Sequence, residues 1–320
     1  MGNVRLTVAI PTFNGFRTLS QTLESVIKEI SSLNRFDVNL EIFDNGSTGQ
    51  SADFLNALAL PEGSIVHRNT VNAGYDENIK RAVQCSQGDF VKILADDDVL
   101  VPGSLASLLA IIETHDDISF IVSDFSKFST DMATEIEAPI LSKQLSNLQK
   151  GESGLELARG RFGQVSSLAF RRAYFTNAVT IPGMGTNYLH VSVVYALALR
   201  HSYFIQTGTN VQVRDGSPNF TGSVERSVST PVDGLGAIRN LRSLGYSRKF
   251  TRATYKTQAK YLFGIFMFGK RQGVNRLPVM IAKSISILGP RPELLIAFLA
   301  CLIPSPIFDP ITNLIKPSSV

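Results

Sequence analysis

The chain has 320 residues, of which 44% are hydrophobic and 18% charged. That is enough for one large domain or two modest ones around a sizeable core, and with 9% aromatics it excludes a disordered, collagen-like or low-complexity protein. The formal net charge of +4, from 31 basic and 27 acidic side chains, does not by itself point to a DNA-binding protein.

Residues 6–124 alternate between strand and helix patterns. Residues 6–10 form a short apolar strand closed by Pro11, and Phe16, Leu19, Leu23, Val26 and Ile30 then recur at helical spacing. Strands are expected at 38–43, 64–68, 89–95 and 118–123, with helical faces at Tyr75, Ile79, Ala82 and Val83 and at Leu105, Leu108, Leu109 and Ile112. This order predicts an α/β fold, a mostly parallel sheet flanked by helices. Residues 125–232 are less regular: an apolar strand at 165–170, a helix at 188–199, and a Gly-, Pro-, Asn- and Ser-rich loop at 211–221 are expected. From residue 233 onward three or four helices follow, broken near Gly245, Gly273, Pro290 and Pro292. The expected organisation is an α/β domain at 1–232, with halves at 1–124 and 125–232, and a helical C-terminal region at 233–320.

The first strand starts at Leu6, so no signal peptide is expected, and Leu6 stands where a myristoylation signal needs Ser or Thr. Cys85 and Cys301 fit no metal or redox spacing, which suits a reduced, cytoplasmic compartment. The longest apolar run, 294–303, has ten residues, about half of what a ~30 Å hydrocarbon core requires, so no transmembrane helix is expected. Charge is unevenly spread. Residues 234–292 carry twelve bases and no acid, while the rest of the chain holds 19 bases against 27 acids. Such asymmetry points to a polyanionic surface, nucleic acid or an anionic membrane leaflet.

In open α/β sheets, ligands bind beyond the carboxyl ends of the strands. Three strand ends here are polar: Pro11-Thr12-Phe13-Asn14-Gly15, Asp44-Asn45-Gly46-Ser47-Thr48 and Asp96-Asp97-Asp98. A fourth segment, Asn72-Ala73-Gly74 with Asn78, opens the helix before the aspartates. A strand-end Asp can accept from a base or ribose hydroxyl, and small residues let backbone N–H groups approach a diphosphate. Taken singly, each segment is an ordinary turn. The three aspartates, however, lie between Phe90, Val91, Ile93 and Leu94 on one side and Val99, Leu100 and Val101 on the other. Like charges there repel unless a cation neutralises them, and clustered carboxylates suit a hard divalent ion.

Together these motifs, with Gly88-Asp89-Phe90-Val91 and Pro102-Gly103, resemble those of family 2 glycosyltransferases over roughly residues 5–115. The resemblance implies a GT-A fold and a nucleotide-diphospho-sugar donor. It matches Thr12 and Asp44 to positions holding the nucleotide and Asn72 and Gly74 to the segment beside base and ribose. Pro11, Asn14, Asn78 and Asp96 complete the candidate donor-binding set. The aspartates match the family's DxD element, which holds Mg²⁺ or Mn²⁺ on the diphosphate, giving Asp96, Asp97 and Asp98 as candidate ligands. Registering on Leu94 puts Ala95 where the first Asp of the family pattern stands. Asp97 then occupies the usual metal position, with Asp96 or Asp98 supplying the second function; Asp96-x-Asp98 is the competing assignment.

Many members carry a Glu-Asp pair near a later helix start, where the Asp activates the acceptor hydroxyl. The corresponding residues 185–194 contain no acid. His190 is the group there suited to titrate near neutrality, hence the candidate base; a histidine bound to a backbone carbonyl is the alternative. Gly185-Thr186-Asn187-Tyr188-Leu189-His190 also resembles stretches of abequosyltransferase-type enzymes of O-antigen assembly. Arg214 begins a stretch where the family often has a mobile loop, and could contact the diphosphate.

The expectation is a metal-dependent glycosyltransferase of hexosyl or deoxyhexosyl type, inverting if the base opposes the leaving group. Its acceptor would be a lipid-linked saccharide or polysaccharide. The acid-free window, interleaved with apolar stretches at 261–268, 277–281 and 294–303, suits interfacial helices on the anionic inner face of the membrane rather than nucleic acid. A nucleotidyltransferase would want a Gly- and Arg-rich loop after strand one, and a dinucleotide oxidoreductase G-x-G-x-x-G; neither is present. A catalytically inactive nucleotide-sugar-binding module would account for the missing acid.

Overall fold

The computed structural model describes residues 5–141, 144, 146–178, 185–216 and 224–303. The chain divides into two compact units, Met1–Phe220 and Thr221–Val320.

The first unit opens with β1 (Leu6–Thr12), α1 (Phe16–Leu33), β2 (Val38–Asp44), α2 (Gln50–Ala57), β3 (Ile65–Arg68), α3 (Tyr75–Gln84) and β4 (Phe90–Ile93). It continues through β5 (Val99–Leu100), α4 (Ser104–Thr114), β6 (Phe120–Phe128), β7 (Glu135–Glu137), β8 (Asn147–Gln149) and α5 (Glu152–Leu157). β9 (Leu168–Arg171), α6 (Arg172–Ala178), α7 (Leu189–Ala198) and β10 (Tyr203–Arg214) complete it. Leu19, Leu23 and Val26 of α1 are buried against Val8, Ile10, Leu40 and Ile42 of the sheet, as their helical spacing requires. α1 stops at Asn34, whose φ of 50° is left-handed. Glu29 of α1, 6% exposed, accepts from the backbone N–H groups of Gly103 (2.9 Å) and Leu105 (3.1 Å) and so caps α4 from a neighbouring element.

The sheet runs β3-β2-β1-β4-β9-β6-β10-β5, with β7 on β6 and β8 on β10. The expected parallel order holds for β1 with β2 and β4, for β2 with β3, and for β6 with β10. It fails elsewhere: β9 lies antiparallel between β4 and β6, and β5, β7 and β8 pair antiparallel. The sheet is therefore mixed, because β9 returns through its centre instead of crossing over. The parallel part sets β1, β2 and β4 side by side with their carboxyl ends together (Thr12 opposite Asp44, Ala9 opposite Ile93).

Two sequence expectations shift locally. Val165–Ser167 is a 3₁₀ turn rather than strand, with β9 starting at Leu168. Residues 211–214 belong to β10, not to a loop, since Val211 to Arg214 pair with Phe125 to Phe128; residues 217–221 lie outside the described residues. Every residue of α7 is buried, as expected for a helix that is apolar around its whole circumference.

The second unit holds α8 (Val224–Asp233), α9 (Leu241–Leu244), α10 (Arg248–Arg271), α11 (Leu277–Leu288) and α12 (Pro292–Leu302). Its start precedes the expected boundary at 233 because α8 packs here. A Cβ on Gly269 of α10 would stand 2.9 Å from Val228 of α8 and 3.0 Å from Leu277 of α11. The acids of α8 also meet the basic window: Asp233 pairs with Lys283 at 2.7 Å and Glu225 with Arg276 at 3.8 Å. Tyr261, Phe268, Val279, Ile296, Leu299 and Leu302 remain exposed on α10 to α12. Among the described residues, no helix is long and apolar enough to cross a membrane.

Candidate active site

The loops after β1, β2 and β4 are tied to one another by side-chain hydrogen bonds. Asn14, left-handed at φ 57°, donates its N–H to Ser47 Oγ (2.9 Å) and accepts the Thr48 N–H at its Oδ1 (3.0 Å). Asp44, buried at the end of β2, accepts the Ser47 N–H at 2.9 Å. Asn45 links the β2 loop to the segment before α3. Its amide donates to Asn72 Oδ1 (2.9 Å) and the Gly74 carbonyl (3.1 Å), and its Oδ1 accepts from Asn69 Nδ2 (2.9 Å) and the Ala73 N–H (3.0 Å). Gly46 is required here: at φ 79°, its Cβ would stand 2.7 Å from the Val71 backbone. Pro11 lies within β1 opposite Phe43, and Asn78 points its amide at the Phe43 carbonyl (3.0 Å), holding α3 on β2.

The aspartates form a turn closed by the Asp98 N–H on the Ala95 carbonyl at 3.2 Å. Thr12 at the end of β1 donates its hydroxyl to Asp96 Oδ2 at 2.5 Å. Asp96 lies over Gly15, where a Cβ would come within 1.9 Å of the same oxygen. Asp98 takes a different role from its neighbours. It is 1% exposed, and its oxygens accept the Arg214 N–H and the Gln164 amide, each at 3.0 Å. Burial and the Asp97 charge push its carboxyl up. Ser166 Oγ accepts the Ala95 N–H (2.9 Å), and the Ser166 carbonyl accepts from Lys92 Nζ. Lys92 is buried beneath the turn, and burial lowers its amine to about 7 against the opposing pull of Asp98. Of the three aspartates, Asp96 and Asp97 are therefore the partly exposed pair, and Asp98 is the buried brace beneath them.

Arg214 sits at the end of β10, not in a mobile loop. Its Nε donates to the Asp97 carbonyl (3.0 Å), one terminal nitrogen to the Thr130 carbonyl and the other to Gln21 Oε1 (2.6 Å). The guanidinium thus braces the aspartate turn.

His190 is the second residue of α7 and 2% exposed. Its Nε2 lies 3.1 Å from the Gly163 carbonyl, and its Nδ1 is buried with no partner among the described residues. Burial pushes the imidazole down to about 4, with the Gly163 carbonyl and Asp76 acting the other way. Tyr188 stacks on the ring at 5.8 Å and Tyr75 meets it edge-on at 6.4 Å. Tyr75 also feels Asp97 and Asp98, and burial raises its phenol first of all. Tyr75 therefore packs beside the histidine.

Asp76 is a site residue that sequence motifs did not single out. Buried at the start of α3, it accepts the backbone N–H groups of Thr186 (2.8 Å), Asn187 (3.0 Å) and Leu189 (3.1 Å). Gln164, Ser166 and Lys92 were equally silent. Only Asp76 had an available signal, its place two residues after Gly74 at a helix start.

Among the described residues no group of three His, Cys, Asp or Glu side chains is placed to hold a metal. Two adjacent carboxylates at one rigid turn nevertheless fit Mg²⁺ or Mn²⁺ in the manner of ions that take their remaining ligands from substrate phosphates and water. Two open cavities of about 460 and 400 Å³ lie elsewhere, one lined by Asp89, Arg171 and Arg172 at the opposite end of β4 and one within the second unit.

Comparison with known proteins bears on the family and the fold. A sequence profile described as "Glycosyl transferase family 2" matches residues 7–174. A PGL/p-HBAD biosynthesis glycosyltransferase of Mycobacterium bovis BCG is 26% identical over 199 residues, 58% of this chain and 74% of that one. The abequosyltransferase RfbV of Salmonella typhimurium is 31% identical over 119 residues, 35% of this chain and 34% of that one. Among solved structures, S. aureus TarS 1-349 in complex with UDP-GlcNAc superposes with a TM-score of 0.59 at 13% identity, covering 92% of this chain and 84% of that one. The mannosyltransferase PcManGT from Pyrobaculum calidifontis, in complex with GDP-Man and Mn²⁺, gives 0.53 at 13% identity, covering 97% and 82%.

Proposed function

The chain belongs to glycosyl transferase family 2, and on that premise we propose that it moves a hexosyl or deoxyhexosyl unit from a nucleotide-diphosphate donor to a lipid-linked saccharide or polysaccharide, with inversion. The observation that carries this reading is the cross-tied set of loops at the carboxyl ends of β1, β2 and β4. Thr12 with Asp96, Asn14 with Ser47 and Thr48, and Asn45 with Asn72 make one preorganised rim. In this reading Thr12, Asn14 and Asp44 receive the nucleotide, and Asn72 and Gly74 flank its base and ribose. Asp96 and Asp97 hold Mg²⁺ or Mn²⁺; when bound, the cation offsets negative charge gathering on the departing diphosphate. The Mn²⁺ in the PcManGT complex supports the use of a divalent cation.

His190 is the proposed base. With Nε2–H donated to the Gly163 carbonyl, the lone pair lies on Nδ1, the unpartnered atom. Its depressed pKa keeps it neutral, as a base must be, and makes it a weaker base than a free imidazole. For the acceptor, α10 to α12 present exposed Tyr261, Phe268, Ile296, Leu299 and Leu302 beside an excess of Lys and Arg. That combination supports peripheral docking on an anionic inner membrane surface, each base contributing on the order of 1 kcal/mol.

Incubation with UDP-, GDP-, CDP- and dTDP-sugars and Mn²⁺ tests the reading: nucleotide release from one donor, stopped by EDTA, supports it. No release from any donor, with acceptor lipid added, leaves an inactive nucleotide-sugar-binding module. The 2% exposure of His190 and the lack of an acid across 185–194 are the observations on that side.

A further inference from the structure

α7 begins without a cap of its own. Its N-cap residue, Tyr188, makes no side-chain capping bond, and the preceding turn is held by Asn187 at φ 60°. The missing cap comes from the other side of the sheet sequence. Asp76 Oδ2 accepts the Thr186 and Asn187 N–H groups, and Oδ1 accepts that of Leu189, across 110 or more positions of chain. Three N–H donors on one carboxylate at a helix N-terminus make a strong, directional anchor. The carboxylate is 4% exposed, and among the described residues it forms no ion pair. The same Asp76 lies in the first turn of α3, directly after Asn72-Ala73-Gly74, and its neighbour Tyr75 touches the His190 ring.

We propose that Asp76 is a positioning residue that ties the donor-side segment Asn72–Gly74 to the turn carrying His190, so that the two halves of the site are set in register by one carboxylate. This rests on the donor and base assignments above. Asp76 touches neither donor nor acceptor in this account; it fixes where the imidazole stands. A shift of about 1 Å in a reacting group costs up to ~10²-fold in rate. Replacing the carboxylate by an amide turns one acceptor oxygen into a donor facing backbone N–H, which repels the turn while preserving side-chain volume.

The test uses Asp76→Asn and Asp76→Ala in the full chain, with two readouts. With the donor that the screen identifies, kcat is expected to fall roughly 10- to 100-fold while the donor KM stays within about 2-fold. Independently of activity, ¹⁵N-histidine NMR of the protein with Mn²⁺ omitted is expected to show the His190 resonances, assigned through His190→Gln, moving in Asp76→Asn while those of His67, His115 and His201 stay. If the donor screen is negative, the NMR readout alone decides. If Asp76→Ala fails to fold, Asp76→Asn carries the test, and should both fail to fold, Asp76 is a fold determinant and the proposal is overturned. Unmoved His190 resonances, or kcat and donor affinity falling in parallel, also overturn it.

Discussion

Thr12 donates its hydroxyl to Asp96 at 2.5 Å, joining the end of β1 to the turn after β4 across 84 residues of chain. The bond fixes the carboxylate over Gly15, where the absence of a Cβ leaves it room. Thr12→Val removes the donor and keeps the shape. Turnover is expected to need several-fold more Mn²⁺ for half-saturation while the melting temperature changes little. Gly15→Ala is expected to act in the same direction, because the flexible carboxylate yields before the backbone does. Titration of Mn²⁺ against turnover, with a thermal melt of each variant, checks both.

The aspartates are expected to separate by role. Asp97→Asn should abolish metal-dependent turnover with the fold intact. Asp98→Asn should lower stability by about 1–3 kcal/mol, because an amide in its place sets a donor among the Arg214 and Gln164 donors. The Mn²⁺ dependence of whatever activity survives should be unchanged. Activity retained in Asp97→Asn and lost in a well-folded Asp98→Asn would reverse the assignment.

Much of this rim was legible in the sequence because its motifs are contiguous and sit where apolar strands end. Asp44, Asn45, Asn72 and Gly74 lie within a few residues of the elements that place them. What was not legible depends on distant pairing. The antiparallel insertion of β9 between β4 and β6 is set by partners some 50 to 80 residues away in sequence. Asp76 meets Thr186 across 110 positions, and no local pattern marks it as that helix's cap. Arg214 read as the start of a loop because Gly216, Ser217 and Pro218 follow it, yet its register with Phe128 extends β10 to that residue. The acids of α8 lie outside the basic window in sequence, whereas in space they pair with it.

His190 makes stability pH-dependent. Its folded-state pKa of about 4 lies below the unfolded value of 6.5, so the unfolded chain binds the proton more tightly. Its contribution is complete above pH 6.5 and is lost as pH falls towards 4, by roughly 3 kcal/mol at 1.36 kcal/mol per unit. His190→Gln should flatten that part of the stability curve. Denaturant melts of both proteins at pH 7, 6, 5 and 4 measure it, and equal slopes would refute the assignment. In activity, His190→Ala is expected to reduce turnover by ~10²–10⁴-fold with donor binding retained.

Docking on the membrane is expected to need both parts of α10 to α12. Leu299→Asp removes an exposed apolar contact, and Arg252→Glu with Lys256→Glu removes charge from an exposed face. Each variant should release the protein from vesicles containing anionic lipid, and salt should weaken wild-type binding. Co-sedimentation with neutral and anionic vesicles reads this out, and equal binding to both would refute the electrostatic part.

Transfer itself is the most direct measurement. Labelled sugar from the donor found by screening is followed into an organic-extractable lipid fraction of membranes. The account predicts label in the lipid phase with Mn²⁺ present, abolished by EDTA and by Asp97→Asn. Label that stays in the aqueous phase for every donor offered, with the wild-type protein folded and metal supplied, would contradict it.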